Sequence, residues 1–217
     1  MDKLYARISK STKHILYQYM KDNNISLLNY SFNYFFQYCI QKYQIQVISH
    51  HFSNHKIEGL TVADESRISF SYERENPKVK QNFTLCHELG HFILNHEGNY
   101  FAKSIDNQDN LLEREANIFS AVVLMPDIVL LSKIYYNRDT FNQVQKSLEV
   151  SKQALFFRLL DLLREYYPDK DSEMCIRDRL RTVDFPAPEA PRITTSSPFS
   201  ISKLTSLFAI ISRSPVL

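Results

Sequence analysis

Two histidines four residues apart, His87 and His91, enclose a glutamate, Glu88, inside a stretch that is otherwise apolar and reads as one helix. Residues four apart share a helix face, so both imidazoles project side by side and can reach a single ion at roughly 2.0–2.1 Å. Glu88 is turned far enough around the helix to miss direct coordination. It still lies near any water held beside such an ion, which suits a general base. Gly90, between the histidines, leaves room for a neighbouring backbone or a substrate. The competing reading is a core helix with two internally satisfied histidines. Val79, Phe83, Leu85, Leu89, Ile93 and Leu94 surround the motif, and a glutamate in such a helix is costly unless it has a partner or a task. The helix is expected to start at Asn76-Pro77, with Asn as cap and Pro in the first turn, and to stop near Asn95, with Gly98 as its terminator.

A catalytic zinc ion usually takes three protein ligands and keeps one open position. Candidates for the third are His96, Glu97, Glu113 and Glu115. A third histidine on a glycine-turned extension is excluded, because the two positions it needs are Leu94 and Glu97. Glu113 and Glu115 open a second strong helix, from about residue 110 to 124, closed by Pro126. Small residues at Ala116 and Ser120 would let it pack closely on the histidine helix, and a glutamate from a second helix is the gluzincin arrangement.

Around this pair the pattern predicts an α+β fold: a small antiparallel sheet of about three strands, flanked by N- and C-terminal helices. Residues 11–43 read as helix, interrupted near a cap at Asn24 or Ser26. Ile45, Val47 and Ile48 open a β-region that Ile57, Leu60 and Val62 continue, and Ile68, Phe70 and Tyr72 alternate with polar neighbours. Residues 99–109 read as a polar loop anchored by Tyr100 and Phe101. Further helices are expected over 127–135, 140–148 and 151–166, the last capped by Ser151. The chain thus divides into a helical segment (1–44), a core (45–136), a C-terminal helical segment of helix-turn-helix-like spacing (137–170) and a tail (171–217). Five of the eight prolines, many Ser and Thr, and no amphipathic period mark the tail. It reads as disordered, or as foreign to the natural protein, since Glu173–Arg179 resembles a translated sequencing-adapter scar.

A formal net charge of +2 gives no electrostatic case for nucleic acid or an anionic membrane. No segment reads as a membrane span, and the N-terminal residues lack a secretory pattern. Cys39, Cys86 and Cys175 are scattered without CxxC spacing, as expected of reduced thiols in a cytoplasm.

The strings Phe83-Thr84-Leu85-Cys86-His87-Glu88-Leu89-Gly90-His91 and Glu113-Arg114-Glu115-Ala116-Asn117-Ile118-Phe119-Ser120-Ala121, the latter leading to Leu124-Met125-Pro126, resemble the ImmA/IrrE family of metallo-endopeptidases. Ser120 stands where that family usually has alanine, and Cys86 where it has a small residue. The segment Val150–Leu159 also resembles the family's C-terminal helical part. The resemblance implies Zn2+ held by His87, His91 and Glu113, with Glu88 as the base. His96, Tyr100 and Arg114 are candidates for an oxyanion donor or a supporting role. It further implies a cytoplasmic peptidase, in bacteria or on mobile elements, that cleaves a helix-turn-helix repressor and so relieves repression. Two other classes remain at this point. Residues 140–166, with Lys152, Arg158 and Arg164 facing phosphates, would make a DNA-binding module. A zinc site without turnover would make a protein-interaction module.

Overall fold

The computed structural model describes residues 3–52, 57–63, 67–96, 100–104 and 111–166. The expectations for Glu97, for Gly98 as a stop signal and for the tail fall outside them. In chain order the elements are α1 (Lys3–Asp22), α2 (Phe32–Tyr43), β1 (Ile45–His50), β2 (Ile57–Ala63), β3 (Ile68–Glu73), α3 (Lys78–Ile93), β4 (Tyr100–Ser104), α4 (Leu111–Leu124), α5 (Asp127–Leu131), α6 (Phe141–Leu148) and α7 (Lys152–Tyr166). The fold is α+β. A π-helical turn, Ser132–Tyr136, extends α5.

The N-terminal helices differ from the sequence expectation at their boundary. α1 starts at Lys3 rather than near Ser11, because Ile8, Thr12, Leu16, Tyr19 and Met20 are buried at helical spacing. The break runs from residue 23 to 31. Neither Asn24 nor Ser26 caps the next helix. Asn24 instead adopts a left-handed conformation (φ 52°), and Ser31 is the cap, its side chain accepting from the Asn33 N–H.

Among the described residues the sheet has four strands in the order β1-β3-β2-β4, and it is mixed. β2 runs antiparallel to β3, with Thr61 opposite Phe70, and antiparallel to β4, with Thr61 opposite Phe101. β1 pairs with β3 in parallel, Val47 opposite Phe70. Alternation along a strand reports which face is buried and is silent about which neighbour it pairs with. The expectation of three antiparallel strands therefore missed the parallel pair. It also missed β4, a five-residue edge strand whose only cue in sequence was Tyr100-Phe101.

α3 lies between the sheet and α4, and α1 covers α4. A Cβ added at Gly90 would sit 3.3 Å from both Cα and the carbonyl oxygen of Ala116, and 3.0 Å from the Phe119 ring. The two helices thus approach with almost no side chain between them, as the small residues Ala116 and Ser120 suggested. Leu89, Phe119, Val123 and Leu130 are fully buried in the core that results. Each large apolar side chain there contributes about 1.5–3 kcal/mol.

The end of α3 is set at Asn95, where the helix was expected to stop. Asn95 takes φ 55°. Its N–H then reaches Phe92 O at 3.1 Å while the His96 N–H reaches His91 O at 3.1 Å, a Schellman closure. Asparagine tolerates the left-handed region better than most residues. The turn folds His96 back over the last turn of the helix.

α6 is capped by a reciprocal Thr140–Gln143 box, and Ser151 Oγ caps α7 through the Ala154 N–H at 3.0 Å. Val144, Leu148, Leu155, Leu159 and Leu162 face the core. Arg158, read as a phosphate-facing residue in the DNA-binding alternative, points inward. It is fully buried, donates to Met125 O at 3.1 Å and Tyr5 Oη at 2.8 Å, and pairs with Asp127. Contrary to expectation, one stretch, Leu111–Tyr136, is long and apolar enough to cross a membrane. Two thirds of its most apolar window is buried inside the protein, and it carries Glu113 and Glu115.

Candidate metal centre

The close approach of α3 and α4 sets Glu113, in the first turn of α4, above the histidine face of α3. Glu113 Oε2 lies 3.1 Å from His87 Nε2, and Oε1 lies 3.2 Å from His91 Nε2. The two Nε2 atoms are 3.0 Å apart. One donor atom from each of the three residues falls within 4.8 Å of the others. Both histidines are buried and Glu113 is partly exposed.

Hydrogen bonding sets the tautomers. His87 Nδ1 is 3.0 Å from Asn117 Oδ1. An amide oxygen only accepts, so Nδ1 carries the proton and the Nε2 lone pair faces the cluster. His96 Nε2 donates to Glu115 Oε2 at 3.0 Å, so His96 Nδ1 accepts from His91 Nδ1–H at 2.8 Å. The lone pair of His91 Nε2 faces the cluster in turn. Burial pushes His96 below the usual histidine range and outweighs the opposing pull of Glu115, in keeping with a neutral ring. Four lone-pair-bearing atoms therefore converge on one point. Two imidazoles and one carboxylate, each imidazole oriented through its other nitrogen, fit a divalent cation of borderline softness.

Glu88, the residue after His87 on α3, is wholly buried. Gly59 and Thr61, two apart on β2, share the strand face on which α3 packs. Thr61 Oγ1 donates a short hydrogen bond to Glu88 Oε2. A Cβ at Gly59 would lie 3.0 Å from Glu88 Oε1 and would overlap the Thr84 methyl group. Gly59 thus provides the space that the carboxylate occupies.

Of the other residues named from sequence, Glu115 turns away from the cluster to His96 and to Arg7 of α1. Both ring nitrogens of His96 are engaged, which leaves it in a supporting position. Arg114 is exposed on α4. Tyr100 opens β4, and its side chain lies outside the described part of the structure. Cys86 is buried, its thiol pushed up by burial, which makes it core filler. Sequence reading did not single out Asn117, Thr61 or Arg7. Asn117 carried a usable signal, since it lies four residues after Glu113 and so shares its helix face. Thr61 and Arg7 come from other elements and carried none.

A pair of packed helices that presents two histidines and a glutamate within reach of one another can hold a single metal ion. Residues 40–160, more than half of the chain, match the peptidase family M78 model, described as the IrrE N-terminal-like domain. The chain belongs to this family of metallopeptidases. No curated protein matches it.

The packing around Glu88 makes one substitution informative. Gly59→Ala forces Thr84, a β-branched side chain with few alternatives on a helix, and Glu88 to move. Crowding of this kind costs about 1–3 kcal/mol. The variant should bind metal as wild type does but hydrolyse peptide more slowly, since the Glu88 carboxylate must give way by a few tenths of an ångström. Metal titration and turnover on the same sample check it.

Proposed function

We propose that the protein is a zinc-dependent endopeptidase in which His87, His91 and Glu113 hold the ion and Glu88 is the general base. Its substrate in this reading is a helix-turn-helix transcriptional repressor in the cytoplasm, whose cleavage relieves repression. The observation that carries the chemistry is the convergence of His87, His91 and Glu113, with Glu88 buried next to His87 on α3. The repressor reading rests on the likeness of the Phe83–His91 and Glu113–Ala121 strings to the ImmA/IrrE family.

When bound, zinc supplies a Lewis acid that polarises the scissile carbonyl and makes water a usable nucleophile near neutral pH. Glu88 accepts the proton of the attacking water and later delivers it to the departing amine nitrogen. Thr61 holds one Glu88 oxygen, so the carboxylate keeps a fixed orientation through both transfers. Asn117 keeps the proton of His87 on Nδ1, away from the ion. Tyr100 and Arg114 are the candidates for a donor to the developing oxyanion.

The test is co-incubation of the purified chain with helix-turn-helix repressors of its own genome. Cleavage at a defined bond, blocked by a chelator and restored by zinc ahead of magnesium or calcium, is the expected result. Metal-independent cleavage, or intact repressors beside a generic peptide that is cut, would remove the zinc reading or the repressor reading respectively.

A further inference from the structure

One path of polar contacts leaves the metal centre and ends on a different helix. His91 Nδ1 bonds to His96 Nδ1 at 2.8 Å, and His96 Nε2 bonds to Glu115 Oε2 at 3.0 Å. The other oxygen of Glu115 pairs with Arg7 Nη2 on α1. The His96 side chain is 3% exposed, Glu115 10% and Arg7 64%. The path begins inside the protein and reaches solvent only at its last member.

We propose that His96, Glu115 and Arg7 form a positioning relay that fixes the ring of His91, making α1 a working part of the metal centre although it lies outside the family-matched residues 40–160. The inference rests on the metal-site reading above. Each member has a single role compatible with its neighbours. Arginine only donates and the carboxylate only accepts, so Glu115 takes a hydrogen from each side. His96 must then donate through Nε2 and accept through Nδ1. His91 must carry its proton on Nδ1, which keeps the Nε2 lone pair on the cluster. A break anywhere frees the next ring to rotate or to change tautomer.

The local backbone supports the same arrangement. The closure at Asn95 returns His96 to the end of α3, with its N–H on His91 O. Glu115 lies two residues from Glu113, and such residues do not share a helix face. One carboxylate can therefore face the ion while the other faces the support. α1 packs along α4, which brings Arg7 to Glu115. Groups that orient metal-bound histidines typically change affinity when removed, which gives the relay a measurable consequence.

The experiment measures zinc affinity by chelator competition and the visible spectrum of the cobalt-substituted full chain. The proteins are wild type, Glu115→Gln, Arg7→Ala, Arg7→Lys and Lys10→Ala, the last removing an exposed charge from α1. Glu115→Gln should weaken zinc binding about 10- to 100-fold and shift the cobalt bands. Arg7→Ala should weaken it about three- to fivefold, the scale of an exposed ion pair, with Arg7→Lys restoring most of the loss. Lys10→Ala should match wild type. If Glu115→Gln fails to fold, the exposed Arg7 pair carries the test unaided. Wild-type affinity and spectra in Arg7→Ala would overturn the relay, as would equal losses in Arg7→Ala and Lys10→Ala. A folded wild type that binds no zinc would instead overturn the metal reading on which the relay depends.

Discussion

Glu88→Gln is expected to slow peptide-bond hydrolysis about a hundred- to ten-thousand-fold while leaving the metal in place. Glutamine keeps the shape of the side chain, and its amide oxygen can still accept from Thr61 Oγ1. The amide cannot take a proton from water at neutral pH, so the deficit isolates the proton transfer. His87, His91 and Glu113 are untouched by the change and keep their mutual distances of 3.0–3.2 Å. Turnover and bound metal should therefore separate cleanly in one protein sample. A variant within tenfold of wild-type turnover would mean that Glu88 is a packing residue and that the base lies elsewhere.

The second large effect is on stability and arises away from the metal. Asp127→Ala should lower unfolding free energy by about 3–5 kcal/mol, a large part of the roughly 5–15 kcal/mol typical of a domain. Burial pulls the Arg158 guanidinium down, but Asp127, with smaller contributions from Tyr5, Tyr17 and Glu165, more than offsets it and holds the group above its ordinary value. The group therefore stays charged inside the protein. Removing Asp127 strands that charge, and Lys13 of α1 loses its carboxylate as well, retaining only Glu165 at 3.1 Å. These contacts join α1, α5 and α7. The paired change Arg158→Met with Asp127→Leu removes both charges and should cost clearly less than Asp127→Ala. Denaturant melts of the three proteins compare them. A loss below about 1 kcal/mol for Asp127→Ala would show that the cluster is hydrated and that no charge is trapped.

The parts of this molecule legible in sequence were those governed by local spacing. His87 and His91 at i and i+4, small residues at Gly90, Ala116 and Ser120, and Ser151 ahead of an apolar run each report a relation within one helix or between two complementary faces. On that basis the helix pair could be expected, and the resemblance of the Glu113–Ala121 string to the ImmA/IrrE family picked Glu113 over Glu115 as the glutamate that meets the histidines. The structure has both. What stayed hidden depends on which distant elements meet. β1 pairs with β3 rather than β2, a choice that side-chain alternation does not encode. Thr61 reaches Glu88 only because β2 lies under α3, and Arg7 reaches Glu115 only because α1 packs on α4. Arg158 misled for a related reason. A basic residue on a helix is usually solvated, and its burial could be foreseen only by knowing that Asp127 and Tyr5 would surround it.

In the proposed enzyme His87, His91 and Glu113 together hold a catalytic ion. The direct measurement is bound metal in the folded full chain after zinc loading and removal of excess, for wild type and Glu113→Ala. About one zinc per chain in the wild type, with most of it lost in a Glu113→Ala protein that remains folded, is the predicted result. A folded wild type that retains no zinc, or a Glu113→Ala protein that retains it as tightly, would contradict the assignment.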